Sequence, residues 1–444
     1  MAGALALILA WALFAFGAVY PWASRPIVAA AIVLAAATRP RLLGKDHRLL
    51  DLALLTAIAV ALVQLAPLPA SLRLALSPHS SAFHSALALL PPPASAWIPL
   101  SLVPGQTMDG AGICIAAILL FWITRGLDSS RAVRALARNV AWMGLLTAIL
   151  ALVSGKVFTN GKVYGFWTPI YREAATAGPL ISRNHFAAWM ILAVSLTAGS
   201  LIAQARTHWQ GERRQLLSRI LGDARALWLA AAGALMMASL VLTTSRAGTI
   251  GIGVALAVGV MRAWRRLGTG GRIGLIANVA VLLVAVSLWA RPDIVAERLN
   301  KADSWGGRPE IWRQTGVMLD KYWVAGIGLG TFDVAMSVYQ PMPRPTLFNH
   351  AHNQYLHTLV EGGVLLAVPL AVAIAAFLGL AMRRLRADET PVVHVREGAL
   401  AGLIGFAVQC VWETPLLTPA VFMLMAVVAG LVVHAGRSDQ GGSA

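Results

Sequence analysis

Charged residues are scarce in this sequence, making up 12% of its 444 residues against 58% hydrophobic residues. A water-soluble globule of this composition would expose far more apolar surface than soluble proteins carry. The mean hydropathy of +0.70 has the same implication. The composition therefore excludes an ordinary soluble enzyme and predicts a protein covered largely by lipid.

Acidic residues and cysteines are also few. The chain has 19 acidic and 36 basic residues, a net charge of +17. Such an excess suits nucleic acid, but it also arises from the basic cytoplasmic loops of a polytopic membrane protein, and the positions of the charges favour the membrane. The only cysteines, Cys114 and Cys410, lie far apart in apolar stretches. They exclude a disulfide framework and a CxxC metal site.

Apolar stretches that approach the length of a membrane helix, about 20 residues, recur along the whole chain. They predict an all-α polytopic protein with about twelve transmembrane helices. The second stretch is short enough to be a re-entrant segment, and the first is interpreted as a retained helix, since it lacks the basic start and cleavage site of a signal peptide. The stretches are roughly 4–20, 26–38, 49–67, 109–124, 139–154, 185–204, 227–243, 248–262, 273–290, 362–382, 397–413 and 418–435.

Basic residues in alternate loops predict the orientation, because Lys and Arg are retained on the cytoplasmic side. With both termini in the cytoplasm, the inner loops and tail hold 22 of the 36 basic residues. These inner loops are 39–48, 125–138, 206–225, 261–272 and 383–396. Three regions follow: transmembrane helices one to nine over 1–290, a large periplasmic loop over 291–361, and three helices with a cytoplasmic tail over 362–444.

The predicted periplasmic loop carries signs of order. Apolar residues recur at helical spacing after Arg308-Pro309-Glu310, where a proline suits the first turn of a helix. GIGLGTF (326–332) lacks the spacing of a nucleotide-binding loop and is interpreted as a tight turn. Helical spacing resumes near Ala351, which places His352 in an early turn of the next helix.

Four polar residues of the predicted outer side fall in loops or at helix ends: Arg183, Arg246, Arg308 and His352. Arginine suits phosphate because its planar fork donates paired hydrogen bonds, so several arginines can hold a pyrophosphate without magnesium. Histidine is the side chain best suited to act as a general base near pH 7. The positive end of a helix that begins here would also attract an anion.

Each residue also has a structural interpretation. Arg246 fits an arginine reaching the membrane interface from a helix end. Arg308 fits a surface ion pair with Glu310 or Asp303. No acidic residue stands out in the sequence as a partner that would orient the base.

The segment 350–363, HAHNQYLHTLVEGG, allows other interpretations. Asn353, His357 and Glu361 share one helix face, and a solvated stripe is the favoured interpretation of the last two. His350, His352, His357 and Glu361 form an alternative metal site, which the absence of an HExxH pattern disfavours.

The motifs resemble the O-antigen ligase and O-antigen polymerase superfamily of bacterial membrane glycosyltransferases. The resemblance covers the architecture of most of the chain and is sharpest over 243–363. It rests on the predicted topology and on the order of four motifs: TTSRAG (243–248), GGRPEIW (306–312), GIGLGTF and HAHNQYLHTLVEGG. SRNHFA (182–187) adds to it.

The resemblance implies a function in the bacterial inner membrane with the active site facing the periplasm. A glycan would be transferred from undecaprenyl pyrophosphate to an acceptor sugar hydroxyl, with inversion and without a metal, a cofactor or nucleic acid. Arg246 and Arg308 would hold the pyrophosphate and His352 would be the base. Arg183, and less directly His185, are further candidates for the anion, and Asn353 for a sugar.

The acceptor and the competing function stay open at this point. A ligase would use the lipid A core of lipopolysaccharide, whereas a polymerase would use a second lipid-linked repeat unit. SRNHFA favours members of the superfamily tied to exopolysaccharide assembly. A transporter or flippase of lipid-linked glycans is the alternative, although such proteins concentrate ionisable groups within the membrane.

Overall fold

The computed structural model describes residues 1–80, 82–83, 97–157, 162–169, 175–207, 222–266, 307–341 and 347–434. Over these residues the fold is almost wholly helical, which confirms the predicted all-α class. One small antiparallel pair joins β1 (Pro67–Leu68) to β2 (Ile98–Pro99).

The helices are numbered in chain order. They are α1 (Ala2–Phe14), α2 (Pro21–Thr38), α3 (Arg48–Val63), α4 (Ala70–Leu76), α5 (Pro104–Arg125), α6 (Ser130–Val157), α7 (Arg183–Thr207), α8 (Ala224–Leu242), α9 (Arg246–Arg266), α10 (Arg308–Tyr322), α11 (Phe332–Tyr339), α12 (Gln354–Ala387), α13 (Val392–Gln409) and α14 (Pro419–Val432).

The predicted apolar stretches coincide with helices, apart from 273–290, which lies outside the described residues. Within the described part of the chain, six helices are long and apolar enough to cross a membrane: α2, α5, α6, α7, α8 and α12. The second stretch is longer than predicted, because α2 begins at Pro21 and has the length of a full span. The total of twelve transmembrane helices stays a prediction.

Helix α7 forms the centre of the bundle, since 78% of the residues in its most apolar stretch are buried. It packs closely on α13 because small residues face each other: a Cβ added at Gly398 would overlap the carbonyl oxygen of Ser195. Gly251 of α9 and Gly405 of α13 meet in the same way. Small residues let helix backbones approach, which is the usual packing of membrane helices.

Helix α12 is broken at Gly363, whose φ of 61° and ψ of −171° are not helical. The GIGLGTF segment packs onto this break, where the amides of Ile327 and Gly328 donate to the carbonyls of Val360 and Glu361, each at 3.0 Å. The predicted turn is confirmed by positive φ at its three glycines. Its position was not predicted, and the turn joins helices α10 and α11 and packs against α12.

Several of the predicted inner loops meet at one end of the bundle. Arg383 and Arg384 of α12 donate to the carbonyls of Asp46 and Val433, and Arg125 donates to the carbonyl of Arg41. His434 contacts the carbonyl of Leu127. The segments 39–48, 125–138 and 383–396 therefore share one end, as the predicted alternation requires.

Candidate functional site

Helix starts gather at the opposite end of the bundle. Helices α7, α9 and α10 begin at Arg183, Arg246 and Arg308, and α12 begins just after His352. Thr418, the N-cap of α14, is tied to α7 by a 2.6 Å contact between its hydroxyl and His185 Nδ1. Amide groups and positive dipole ends at helix starts favour an anion, and three arginines stand at these starts.

A buried carboxylate, Glu413, connects these helix starts. It lies between α13 and α14 with only 2% of its side chain exposed. Its Oε1 accepts a hydrogen bond from Arg308 and one of 2.7 Å from Asn184 Nδ2. Its Oε2 lies 3.4 Å from His352 Nδ1. One carboxylate thus contacts helix α10, the central helix α7 and the segment before α12.

Arg308 and His352, which lie 44 positions apart in the sequence, are brought together at Glu413. Their side chains are 18% and 27% exposed, while the carboxylate between them is nearly inaccessible. A ligand can therefore reach the guanidinium and the imidazole but not the acid that both contact. The alternative interpretation of Arg308 was a surface ion pair with Glu310 or Asp303. Glu310 pairs instead with Arg313, and Asp303 lies outside the described residues.

His352 does not lie in the first turn of a helix as predicted. Helix α12 begins at Gln354, and Asn353 is its N-cap, with its side-chain oxygen accepting from the Leu356 amide. His352 precedes the cap with a φ of 48°, a left-handed conformation that is uncommon outside glycine. The cap holds this turn, so Asn353 has a clear structural role beside its predicted sugar contact, which stays a prediction.

Arg183 and Arg246 lie on neighbouring helix starts. Arg183 Nη1 donates to the Thr244 hydroxyl over 3.3 Å, two residues before Arg246. Gly248 and Ala187 pack so closely that a Cβ at Gly248 would overlap the Ala187 side chain. The half-buried Arg246 therefore stands beside Arg183, whose neighbour Asn184 binds Glu413. The predicted roles of these arginines in binding the anion stay predictions.

His357 and Glu361 do not form a solvated stripe, because both are buried at 2% and 5% exposure. His357 Nε2 lies 3.3 Å from Glu361 Oε1, and its ring stacks on Phe332 of α11 with centroids 4.7 Å apart. Helix α11 covers this face of α12, which the helical spacing alone did not reveal. Among the described residues, no group of three or more His, Cys, Asp or Glu side chains is arranged to hold a metal ion.

The ionisation of the site follows from burial and from its cations. Burial alone would raise the pKa of Glu413, but the hydrogen bond and charge of His352, with the charge of Arg308, hold that pKa below its usual value. Burial, followed by the neighbouring His352, lowers the pKa of His350 well below its usual value. Glu413 is therefore ionised next to Arg308, and His350 is neutral next to His352.

Glu413 and Asn184 are the site residues that the sequence did not reveal. No acidic residue stood out in the sequence as a partner of His352, whereas the structure places Glu413 Oε2 3.4 Å from its Nδ1. Glu413 is the single acidic residue between 398 and 434, amid otherwise apolar stretches. An isolated acid of this kind is a functional signal in a membrane protein, and it could have been used. Asn184 lies within SRNHFA, but nothing in that motif indicates a carboxylate partner.

Aromatic rings border the site on the side of α1 and α2. Tyr20 stacks parallel to Trp22 with centroids 6.3 Å apart, and Trp167 Nε1 donates to the Tyr20 hydroxyl over 2.8 Å. A Cβ at Gly17 would come within 2.8 Å of Thr418, the residue that His185 contacts. Tyr and Trp favour the membrane interface, so this border fits the predicted position of the site at an interface.

Comparisons with known proteins point to the same superfamily as the motifs. Residues 231–371 match the sequence profile of a family described as O-antigen ligase. The predicted resemblance to the O-antigen ligase and polymerase superfamily is thereby confirmed. The match includes Arg246, Arg308, His352 and Asn353, whereas Arg183 and Glu413 lie outside it.

A curated relative supports the same superfamily. The chain is 29% identical over 220 residues to the exopolysaccharide production protein ExoQ of Rhizobium meliloti (strain 1021). The aligned region covers 45% of this chain and 48% of that protein. The chain thus spans about half the length of the relative.

Proposed function

We propose that this protein is a membrane glycosyltransferase that transfers a glycan from undecaprenyl pyrophosphate to an acceptor sugar hydroxyl at the periplasmic face of the bacterial inner membrane. The observation that carries the proposal is the meeting of Arg308 and His352 at Glu413 within a ring of helix starts. The O-antigen ligase match covers both of these partly buried partners of Glu413.

The reaction is a direct displacement at the anomeric carbon. The acceptor hydroxyl gives its proton to His352 while its oxygen bonds to that carbon, and the bond from the carbon to the phosphate oxygen breaks. The electron pair leaves with undecaprenyl pyrophosphate, and the single displacement inverts the anomeric centre. Arg308 and Arg246, with Arg183 beside them, stabilise the charge that grows on the departing diphosphate. Asn353 contacts a sugar hydroxyl.

The charges of the site support a role for arginines in place of a metal. Arg183, Arg246 and Arg308 stand at helix starts whose dipoles add to their charge. A guanidinium holds a phosphate through paired hydrogen bonds and stays charged at physiological pH. In this proposal the three guanidinium groups supply the positive charge that binds the diphosphate.

A second lipid-linked repeat unit is the proposed acceptor, and the lipid A core is the alternative. The relative concerned with exopolysaccharide production favours the former. A flippase of lipid-linked glycans is the competing function. A base held beside an anion site has a use in group transfer, whereas transport alone requires no base.

The test is transfer by the purified protein in lipid nanodiscs, with an undecaprenyl-pyrophosphate-linked glycan and EDTA. The expected result is a longer glycan with an inverted new linkage, lost in His352→Ala. Full activity in His352→Ala would show that His352 is not the base. Activity that is lost with EDTA and restored by zinc would show that the reaction depends on a metal site. Movement of the intact donor across vesicle membranes without any new glycosidic bond would favour the flippase.

A further inference from the structure

Glu413 is placed where an acid can control the orientation of His352. The ring atom that faces the carboxylate is Nδ1, at 3.4 Å from Oε2. This separation is long for a hydrogen bond, as is common in a site without its substrate. The other ring nitrogen, Nε2, is then turned away from Glu413. His352 is 27% exposed, so a ligand has access to its ring.

The carboxylate is itself held in place. Asn184 and Arg308 both donate to Oε1, which leaves Oε2 directed at His352. Asn184 belongs to α7, the most buried of the six candidate membrane spans in the described part of the chain, so it ties Glu413 to the interior of the bundle. The two oxygens therefore have separate partners, one set by the anion-binding arginine and the other by the base.

We propose that Glu413 is a positioning residue that fixes the tautomer of His352, a proposal that rests on the proposed function. With Nδ1–H donated to Glu413, the lone pair of Nε2 is available to take the proton of the acceptor hydroxyl. The imidazolium formed in that step has a carboxylate as its neighbour. This is the role of the acid in a serine protease triad, where an amide in its place leaves the geometry but lowers kcat by about 10⁴-fold.

Glu413 differs from an acid that merely pairs with an arginine. Arg308 donates to Oε1 of Glu413. An ion pair that served stability alone would not need a histidine at the second oxygen, Oε2. The conformation of His352 points the same way. Its φ of 48° is unfavourable for a residue with a Cβ, and such conformations persist where the surroundings impose them. This turn brings Nδ1 to the carboxylate.

The first test compares Glu413→Gln with the wild type in transfer and in donor binding. The expected result is a kcat lower by about 100-fold or more, with a donor Kd that is unchanged or smaller, because a negative charge beside Arg308 is removed. A structural role for Glu413 predicts weaker donor binding together with the loss of rate. Glu397→Gln is the matched control, because it replaces another buried glutamate, near the opposite end of α13.

The second test reads the tautomer directly and needs no variant of Glu413. In wild-type protein labelled with ¹⁵N-histidine, the signals lost in His352→Ala are assigned to His352, and the neutral ring is expected to carry its proton on Nδ1. A proton on Nε2 would overturn the proposal even if Glu413→Gln failed to fold.

The outcomes separate the two proposals. No transfer by the wild type, under conditions where it binds donor, would count against the proposed function. Normal transfer by both wild type and Glu413→Gln would show that Glu413 does not position His352, while it would support the proposed function.

Discussion

At the level of single residues, a buried glutamate surrounded by basic groups defines the site. Arg308 and His352 were predicted from their residue types and their outer position. Glu413 was not, because it lies 61 positions beyond His352 and reaches it only after α12 and α13 have folded back. Sequence spacing reveals partners on one helix, whereas this site is assembled from five segments.

Arg308→Lys tests the geometry of the guanidinium. The variant keeps the positive charge but loses the planar fork that donates to Glu413 and that, in the proposed function, also binds a phosphate oxygen. We expect kcat/KM for transfer to fall by about 10-fold to 100-fold, equivalent to about 1.4 to 2.7 kcal/mol. Arg313→Lys on the same helix is the control, since Arg313 is 62% exposed and pairs only with its neighbours in the described structure. Equal activity of the two variants would argue against Arg308 as a diphosphate ligand.

The pH dependence of stability tests the ionisation of Glu413. Burial raises its pKa, but His352 and Arg308 more than offset this, so the folded pKa lies below the reference value of 4.5. Since the lowered pKa belongs to the folded state, the stabilisation is fully present above about pH 4.5 and is lost as the pH falls through the folded pKa.

The measurement is the melting temperature of wild type and Glu413→Gln as a function of pH. The gap between them is expected to persist from about pH 7 to about pH 5 and to shrink only below about pH 4.5. A gap that closes already near neutral pH would mean that Glu413 is protonated in the folded protein.

At the level of elements, the broken helix α12 and the GIGLGTF segment form one unit. The segment supplies amides to carbonyls that the break at Gly363 leaves without helical partners. The sequence predicted both the turn and the helix, because glycine spacing and apolar periodicity are local signals. It could not predict that they pack together, since a contact between backbone groups leaves no mark on side-chain periodicity.

Gly363→Ala tests this unit. A Cβ at Gly363 would overlap the carbonyl oxygen of Val324 and would also disfavour its φ of 61°. We expect the variant to lose about 2 kcal/mol or more of stability, measured as a lower melting temperature in detergent. Gly253→Ala in α9 is the control, because nothing lies within 4 Å of a Cβ there. Equal melting temperatures for the two variants would show that the break in α12 tolerates a side chain.

At the level of the whole molecule, the bundle has two chemically different ends. One end joins the arginine-rich loops to backbone carbonyls, and the other gathers helix starts around Glu413. The distribution of Lys and Arg among successive loops predicted that the arginine-rich loops and the candidate site lie at different ends, because adjacent loops of a helical bundle alternate between its ends. The sequence could not show which helices pack centrally, since α12 is more apolar than α7 and yet is less buried.

Cysteine labelling tests the orientation of the two ends. In a variant lacking Cys114 and Cys410, a cysteine at the exposed Lys162 is expected to react with a membrane-impermeant maleimide in cells with a permeable outer membrane. A cysteine at the exposed Glu389 should react only after the inner membrane is opened. The reverse pattern would place the candidate site in the cytoplasm and contradict the proposed reaction.

The most direct measurement is a cryo-electron microscopy structure of the protein in a lipid nanodisc with an undecaprenyl-pyrophosphate-linked sugar. We predict the diphosphate within hydrogen-bonding distance of Arg308 and on the side of Arg246, with the anomeric carbon facing His352 Nε2. A diphosphate bound at the arginine-rich end near Arg125 and Arg384, away from Glu413, would contradict glycan transfer at this site.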